Sequence, residues 1–303
     1  MIEFKEVEVA DKKWMDPFLA ASDMSGCHHN FTNIFAWADN YHNRIARVNN
    51  YLLVKGVSEL GPYYFYPSGW GDIAEIFQLL KKDAADCGHD FVLAGISHEN
   101  IDNMDTLFPG CFRYEEMRDS FDYVYSLEKL AELSGRKYQA KRNHINRFRE
   151  NYPDWRFEPI SSQNIEECRE MNREWCIVHK CNDDDLLKKE KCAVKRCFDH
   201  YFELGLEGGL LRVNNKVAAY TMGEKLNSNT YVTHIEKAFN DMQGAYQMIN
   251  RQFAALVQEK HPEIVYINRE EDMGLEGLRK AKLSYHPVKM EEKYLATYTG
   301  NAE

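Results

Sequence analysis

Three short stretches of this 303-residue chain carry side chains whose types and spacing suit chemistry. His234 and Glu236 stand two apart in a segment that alternates like a strand, so both are predicted on one face. A nucleophile attacking a carbonyl needs a base to take its proton, and either group could serve. Pairing with a buried Lys or Arg is their plain structural alternative. The loop Asn240 to Tyr246 leads into a helical pattern. Its small residues, Gly244 and Ala245, flanked by Gln243 and Tyr246, place unpaired backbone N–H groups and a helix dipole where a phosphate could dock. Asp241 adds a charge that works against a pyrophosphate there.

The third stretch is basic. Arg136 to Arg149 holds six Lys or Arg and no acid, in a chain whose net charge is -10. At about 100° per residue, Arg142 and Arg149 fall beside Tyr138 and Ile145, on the side of Lys141 and Tyr152. Basic groups sharing an apolar side line clefts with buried stems, so Lys141, Arg142 and Arg149 are expected to meet an anion rather than form a solvated face. Asn268, followed by Arg269-Glu270-Glu271-Asp272, closes a short apolar strand at the end where open sheets bind ligands.

The eight cysteines are irregularly spaced. Cys176-x₂-His179-x-Cys181 and Cys192-x₄-Cys197 come nearest to zinc spacing, but Cys168, Cys192 and Cys197 fall at apolar helical positions. No metal is expected. With 44% hydrophobic and 28% charged residues the chain reads as folded. No apolar run reaches membrane-spanning length, and the first residues lack a signal-peptide pattern, which predicts a cytoplasmic protein. The acidic average excludes nonspecific nucleic-acid coating.

The elements that must position these groups follow from period and punctuation. Strands are predicted over 2–9, 44–57, 62–67, 91–96 and 120–125, with helices over 14–21 and 72–87. A long helix spans 127–152, interrupted near Ser134-Gly135. Then come a strand at 155–160, helices at 162–176 and 183–204, a hairpin at 209–213 and 216–225 around Asn214-Asn215, and a strand at 230–238. Helix 244–260, strand 264–268, helix 275–284 and strand 288–298 complete the chain. The second half therefore repeats the first half's order: an α/β fold with domains at 1–125 and 153–303, joined by a connecting basic helix at 126–152.

Four segments carry a family resemblance: 22–37 (SDMSGCHHNFTNIFAW), 123–148 (YVYSLEKLAELSGRKYQAKRNHINRF), 234–254 (HIEKAFNDMQGAYQMINRQFA) and 268–294 (NREEDMGLEGLRKAKLSYHPVKMEEKY). They resemble the bacterial family related to the C-terminal domain of phosphatidylglycerol lysyltransferase. The resemblance implies a tandem GNAT-like fold of two open mixed sheets. It also implies transfer of an acyl or aminoacyl group from acyl-coenzyme A or aminoacyl-tRNA to an amine or hydroxyl, on a small-molecule or lipid-headgroup acceptor. The loop 240–246 would then hold the donor's phosphates. Tyr285 would stand in for the tyrosine that many such transferases use as general acid. A tandem-fold binding module for a coenzyme A, nucleotide or tRNA end is the alternative.

Overall fold

The computed structural model describes residues 2–300. Its chain divides into two compact units, the first comprising 1–122, 271–276 and 290–303, the second 123–270 and 277–289.

In the first unit, β1 (Lys5–Glu6) precedes α1 (Lys12–Ser22), α2 (Phe31–Ala36) and α3 (Ala38–Tyr41). Strands β2 (Arg44–Val48), β3 (Tyr51–Ser58), β4 (Gly61–Phe65) and β5 (Ser68–Gly69) lead to α4 (Ile73–Asp86), β6 (Val92–Ile96), α5 (His98–Leu107) and β7 (Phe112–Glu116). Asp72 caps α4 by accepting from the Ala74 and Glu75 N–H groups. That helix buries Ile76, Phe77, Leu80 and Ala84 against the sheet, where Phe91, Leu93 and Phe112 complete an aromatic core.

The second unit begins with β8 (Asp122–Ser126), α6 (Leu127–Glu132) and α7 (Gln139–Asn151), then β9 (Arg156–Pro159), α8 (Ile165–Val178) and α9 (Asp185–Asp199). The hairpin β10 (Glu207–Val213) and β11 (Lys216–Lys225) turns at Asn214 and Asn215, whose φ of 49° and 61° are those of a primed turn. There follow β12 (Thr230–Ala238), α10 (Ala245–Lys260), β13 (Tyr266–Asn268), α11 (Glu276–Leu283) and β14 (Lys289–Glu291), and the chain then returns to the first unit with β15 (Tyr294–Tyr298).

The first sheet runs β1-β2-β3-β4-β6-β15-β7, with β5 beside β3; the second runs β14-β8-β13-β12-β11-β10-β9. Each unit thus has the expected order of strand, helices, three strands, helix and strand. Four details depart from the sequence reading, and one expected break is present. Residues 44–57 form a hairpin rather than one strand. Helix α5 and strand β7 fill an interval to which the sequence reading assigned no element. The interruption expected near Ser134-Gly135 is present: α6 ends where Leu133 turns left-handed, with φ of 54°. The segment 288–298, expected as one final strand of the second half, splits into β14 and β15. Finally, β8 belongs to the second sheet and β15 to the first. The boundaries at 125 and 153 therefore shift: α6 and α7 belong to the second unit, and residues 290–303 to the first. Hydrophobic alternation says that a strand forms, not which sheet accepts it.

Candidate functional site

Strand β13 pairs in parallel with β12 at three positions, Thr230–Tyr266 through Val232–Asn268, after which β12 continues to Ala238. Arg269 follows at once and bridges the strands where they part. Its Nη2 donates to Glu236 Oε1 at 2.9 Å, while Asn250 of α10 donates to the other carboxylate oxygen at 3.1 Å. The Arg269 guanidinium lies 5.0 Å from the ring centre of Tyr285 and 5.6 Å from that of Tyr125. Lys141 enters from α7, its Nζ 3.8 Å over the Tyr285 ring and 2.6 Å from Ser284 Oγ. The Arg269 backbone is fixed as well: its N–H donates to Tyr123 O at 3.0 Å, and its carbonyl accepts from Lys282 Nζ at 2.5 Å.

Two atoms in this string have no partner among the described residues although both are buried: Arg269 Nη1 and Asn250 Oδ1. A charged donor and a neutral acceptor therefore stand at the two ends of one carboxylate. Leaving such groups unpaired costs about 1–3 kcal/mol each. A ligand offering both a carbonyl or anionic oxygen and an N–H would recover that. Burial and the neighbouring Arg269 pull the Lys141 amine down to about 8, into the range where a base works near neutral pH. Burial opposes the charge on Arg269, but Glu236 more than offsets it. Burial pushes the Tyr285 phenol up, so it keeps its proton.

Of the sequence-predicted residues, this arrangement gathers Lys141, Glu236 and Tyr285. His234 joins a different network. A bulge on β12 leaves it out of register between Thr233 and Ile235, with its Nδ1 2.8 Å from Glu270 and its Nε2 3.2 Å from Glu224. Burial works against the imidazolium, yet the two carboxylates raise it to about 9. It stands in an ion-pair triad with Glu224 and Glu270, apart from Glu236. Gly223 opposite the bulge has no room for a side chain, since a Cβ there would meet Val232 O at 2.0 Å.

The loop before α10 packs against α7. Gly244 has φ of 88° and turns its bare side toward α7, where a Cβ would lie 2.3 Å from His144 O. Its smallness serves helix packing, so the bare side is not presented to a phosphate. Ala245 is fully buried, and Tyr246 packs beside the Ala238 backbone and the Trp175 indole, leaving Gln243 exposed. Asn268 is buried and accepts from the Glu270 N–H at 2.8 Å, shaping the turn that carries Arg269. Arg142 donates to the carbonyls of Leu133 and Gly135 and to Gln139, bracing the end of α6. Arg149 lies 5.7 Å over Trp155.

Among the described residues, none of the six basic side chains of 136–149 forms an ion pair with an acid. Ala140, Asn143, His144 and Arg147 line a depression of about 150 Å³ on α7. The zinc-like spacing around His179 does not gather a ligand set. That ring stacks on Trp175 at 3.8 Å, and its nitrogens face Trp175 O and Asn240.

Sequence reasoning missed Arg269 and Asn250. Arg269 was hidden among charged neighbours. Asn250 left a usable signal: it stands four residues after Tyr246 on the buried face of an amphipathic helix, where a polar residue needs a reason.

Comparison with known proteins agrees with this fold. Residues 19–297 match the family described as phosphatidylglycerol lysyltransferase, C-terminal. A solved protein of unknown function from Bacteroides thetaiotaomicron is 39% identical, with a TM-score of 0.93 over 99% of this chain and 100% of that one. The C-terminal domain of a putative lysylphosphatidylglycerol synthetase from Agrobacterium fabrum superposes with a TM-score of 0.68 at 14% identity, covering 96% and 92%. FemX does so at 0.62 and 9% identity, covering 97% of each. These place both units in the tandem GNAT-like fold. An uncharacterised protein of Mycoplasmoides gallisepticum is 22% identical over 179 residues, 58% of this chain. The chain spans about half the length of that curated relative, 56%.

Proposed function

Because the chain belongs to the family of phosphatidylglycerol lysyltransferase C-terminal domains, we propose that it transfers an aminoacyl group from aminoacyl-tRNA to an amine or hydroxyl acceptor. The observation that carries this reading is the pair of buried, unpartnered atoms Arg269 Nη1 and Asn250 Oδ1. An aminoacyl ester offers a carbonyl oxygen to the first and an amino group to the second. A simple acyl-coenzyme A thioester lacks the amine and leaves Asn250 unsatisfied. In this reading Arg269 donates to the carbonyl oxygen as it gains charge in the tetrahedral intermediate. Lys141 takes the proton from the attacking acceptor and returns it to the departing ester oxygen. The acid-free basic run on α7 meets the phosphates of the donor. A lipid-headgroup or small-molecule acceptor and a cytoplasmic location belong to the same proposal.

The test is single-turnover transfer or hydrolysis of charged tRNA, with acyl-coenzyme A as the competing donor. Arg269→Lys keeps the charge opposite Glu236 but removes the Nη1 donor. The rate should fall roughly 100-fold with little change in Tm. Turnover of acyl-coenzyme A with charged tRNA left intact would defeat the aminoacyl reading. A second reading, a binding module without chemistry, draws on the ion pairing of both His234 and Glu236. Tight tRNA binding without turnover at any pH would select it.

A further inference from the structure

Outside that site, the first unit buries a second cluster of reactive side chains. Lys293, just before β15, is 4% exposed, and its Nζ donates to Asp122 Oδ1 at 2.6 Å. The same nitrogen is 3.4 Å from Cys27 Sγ and 3.4 Å from Glu271 Oε2. Asp122 also accepts from the Cys27 thiol at 3.2 Å and from its backbone N–H at 2.8 Å. Cys27, Asp122 and Glu271 have the spacing of metal ligands. However, the Lys293 ammonium sits within reach of all three and supplies the cation itself. What distinguishes the cluster is a thiol and an amine held against each other by one carboxylate that touches both.

We propose that Cys27 and Lys293 form a reversible covalent bridge through a single oxygen atom under peroxide. The chemistry closes with two equivalents of hydrogen peroxide. The Cys27 sulfur attacks one peroxide oxygen, the O–O bond breaks, and a sulfenic acid and water result. The Lys293 amine, after its extra proton has left by way of Asp122 to solvent, reacts likewise with the second equivalent to give a hydroxylamine and water. Condensation of the two hydroxyl-bearing groups forms the S–O–N link and releases a third water. Sulfur and nitrogen each lose two electrons, and each peroxide gains two. Glu271, 35% exposed, is the most open of the side chains around Lys293. The link joins positions 266 residues apart and fastens the segment before β15 to the loop ahead of α2.

The full chain carrying Cys87→Ser and Cys192→Ser, which silences two exposed thiols, is titrated with hydrogen peroxide and followed by intact mass and peptide mapping. The expected product is a Cys27–Lys293 crosslinked peptide pair. It gains about 14 Da, one oxygen in and two hydrogens out, and dithiothreitol reverses it. Its Tm should rise by several degrees, roughly as for a long-loop staple. Cys27→Ser and Lys293→Arg should each abolish the crosslink. Since Lys293→Arg disturbs a buried ion pair, Cys27→Ser is the arm that keeps the fold. Oxidation of Cys27 to sulfinic acid with Lys293 unlinked would overturn the proposal. So would a Cys27 left as thiol while peroxide oxidises Cys87 and Cys192 of the unaltered chain. A linked pair two daltons lighter would replace it with a direct S–N bond.

Discussion

Lys141 and His234 are two cations that burial treats alike and neighbours treat oppositely. Lys141 faces another cation, Arg269, and falls to about 8; His234 faces two carboxylates and rises to about 9. Opposite pH behaviour follows. If Lys141 is the base, the transfer rate rises with pH through about 8. Lys141→Arg stays protonated, so its profile should be flat and its kcat low while donor binding persists. For His234 the folded value lies above the ordinary 6.5, so its stabilisation is complete below 6.5 and disappears as pH rises through about 9. His234→Gln leaves Glu224 and Glu270 facing each other. The loss should be about 3 kcal/mol in mild acid and shrink well above pH 9, measured by urea unfolding across pH. The sequence placed His234 and Glu236 on the right strand but assumed an unbroken alternation. The bulge at His234 sends the two into separate networks, and a bulge leaves no mark in a hydrophobic pattern.

Among the elements, α7 and α10 show how a glycine can be read correctly as necessary and wrongly as to purpose. Gly244 was legible as a residue needing close backbone approach; that the approaching group is the His144 carbonyl was not, because helix-on-helix contact is non-local. Gly244→Val meets both that carbonyl and a left-handed φ of 88°. It should cost on the order of 2–4 kcal/mol of stability, read as a fall in urea midpoint, rather than act on ligand affinity alone. Arg142→Gln, which frees the Leu133 and Gly135 carbonyls, should likewise cost about 1–3 kcal/mol and lower Tm. The basic run itself was well legible, since its lack of acids is a property of sequence. Which of its members stays free for an anion was not. Arg142 is committed to α6, whereas Arg136, Lys137 and Arg147 are exposed and have no acidic partner among the described residues.

In the whole molecule, the repeated strand and helix order made the tandem fold readable, and the crossing of strands made its boundaries unreadable. β15 lies between β6 and β7, bonded to Leu93 and Val92 on one side and to Phe112 through Glu116 on the other. A fragment of residues 1–125 therefore lacks an interior strand and carries two unpaired edges. It should aggregate or bind a hydrophobic dye, and a chain truncated after residue 288 should lose the native signals of the first unit. A 1–125 fragment that folds cooperatively by itself would contradict this. The inserted strand also sets an order of events during synthesis. β6 and β7 emerge early, but the strand that separates them is the last described strand to leave the ribosome, a wait on the order of ten seconds or more. Throughout that interval the first sheet has an open seam, so the amino-terminal half should engage nascent-chain chaperones longer than its size suggests, and become protease-resistant only when the carboxyl-terminal segment is released.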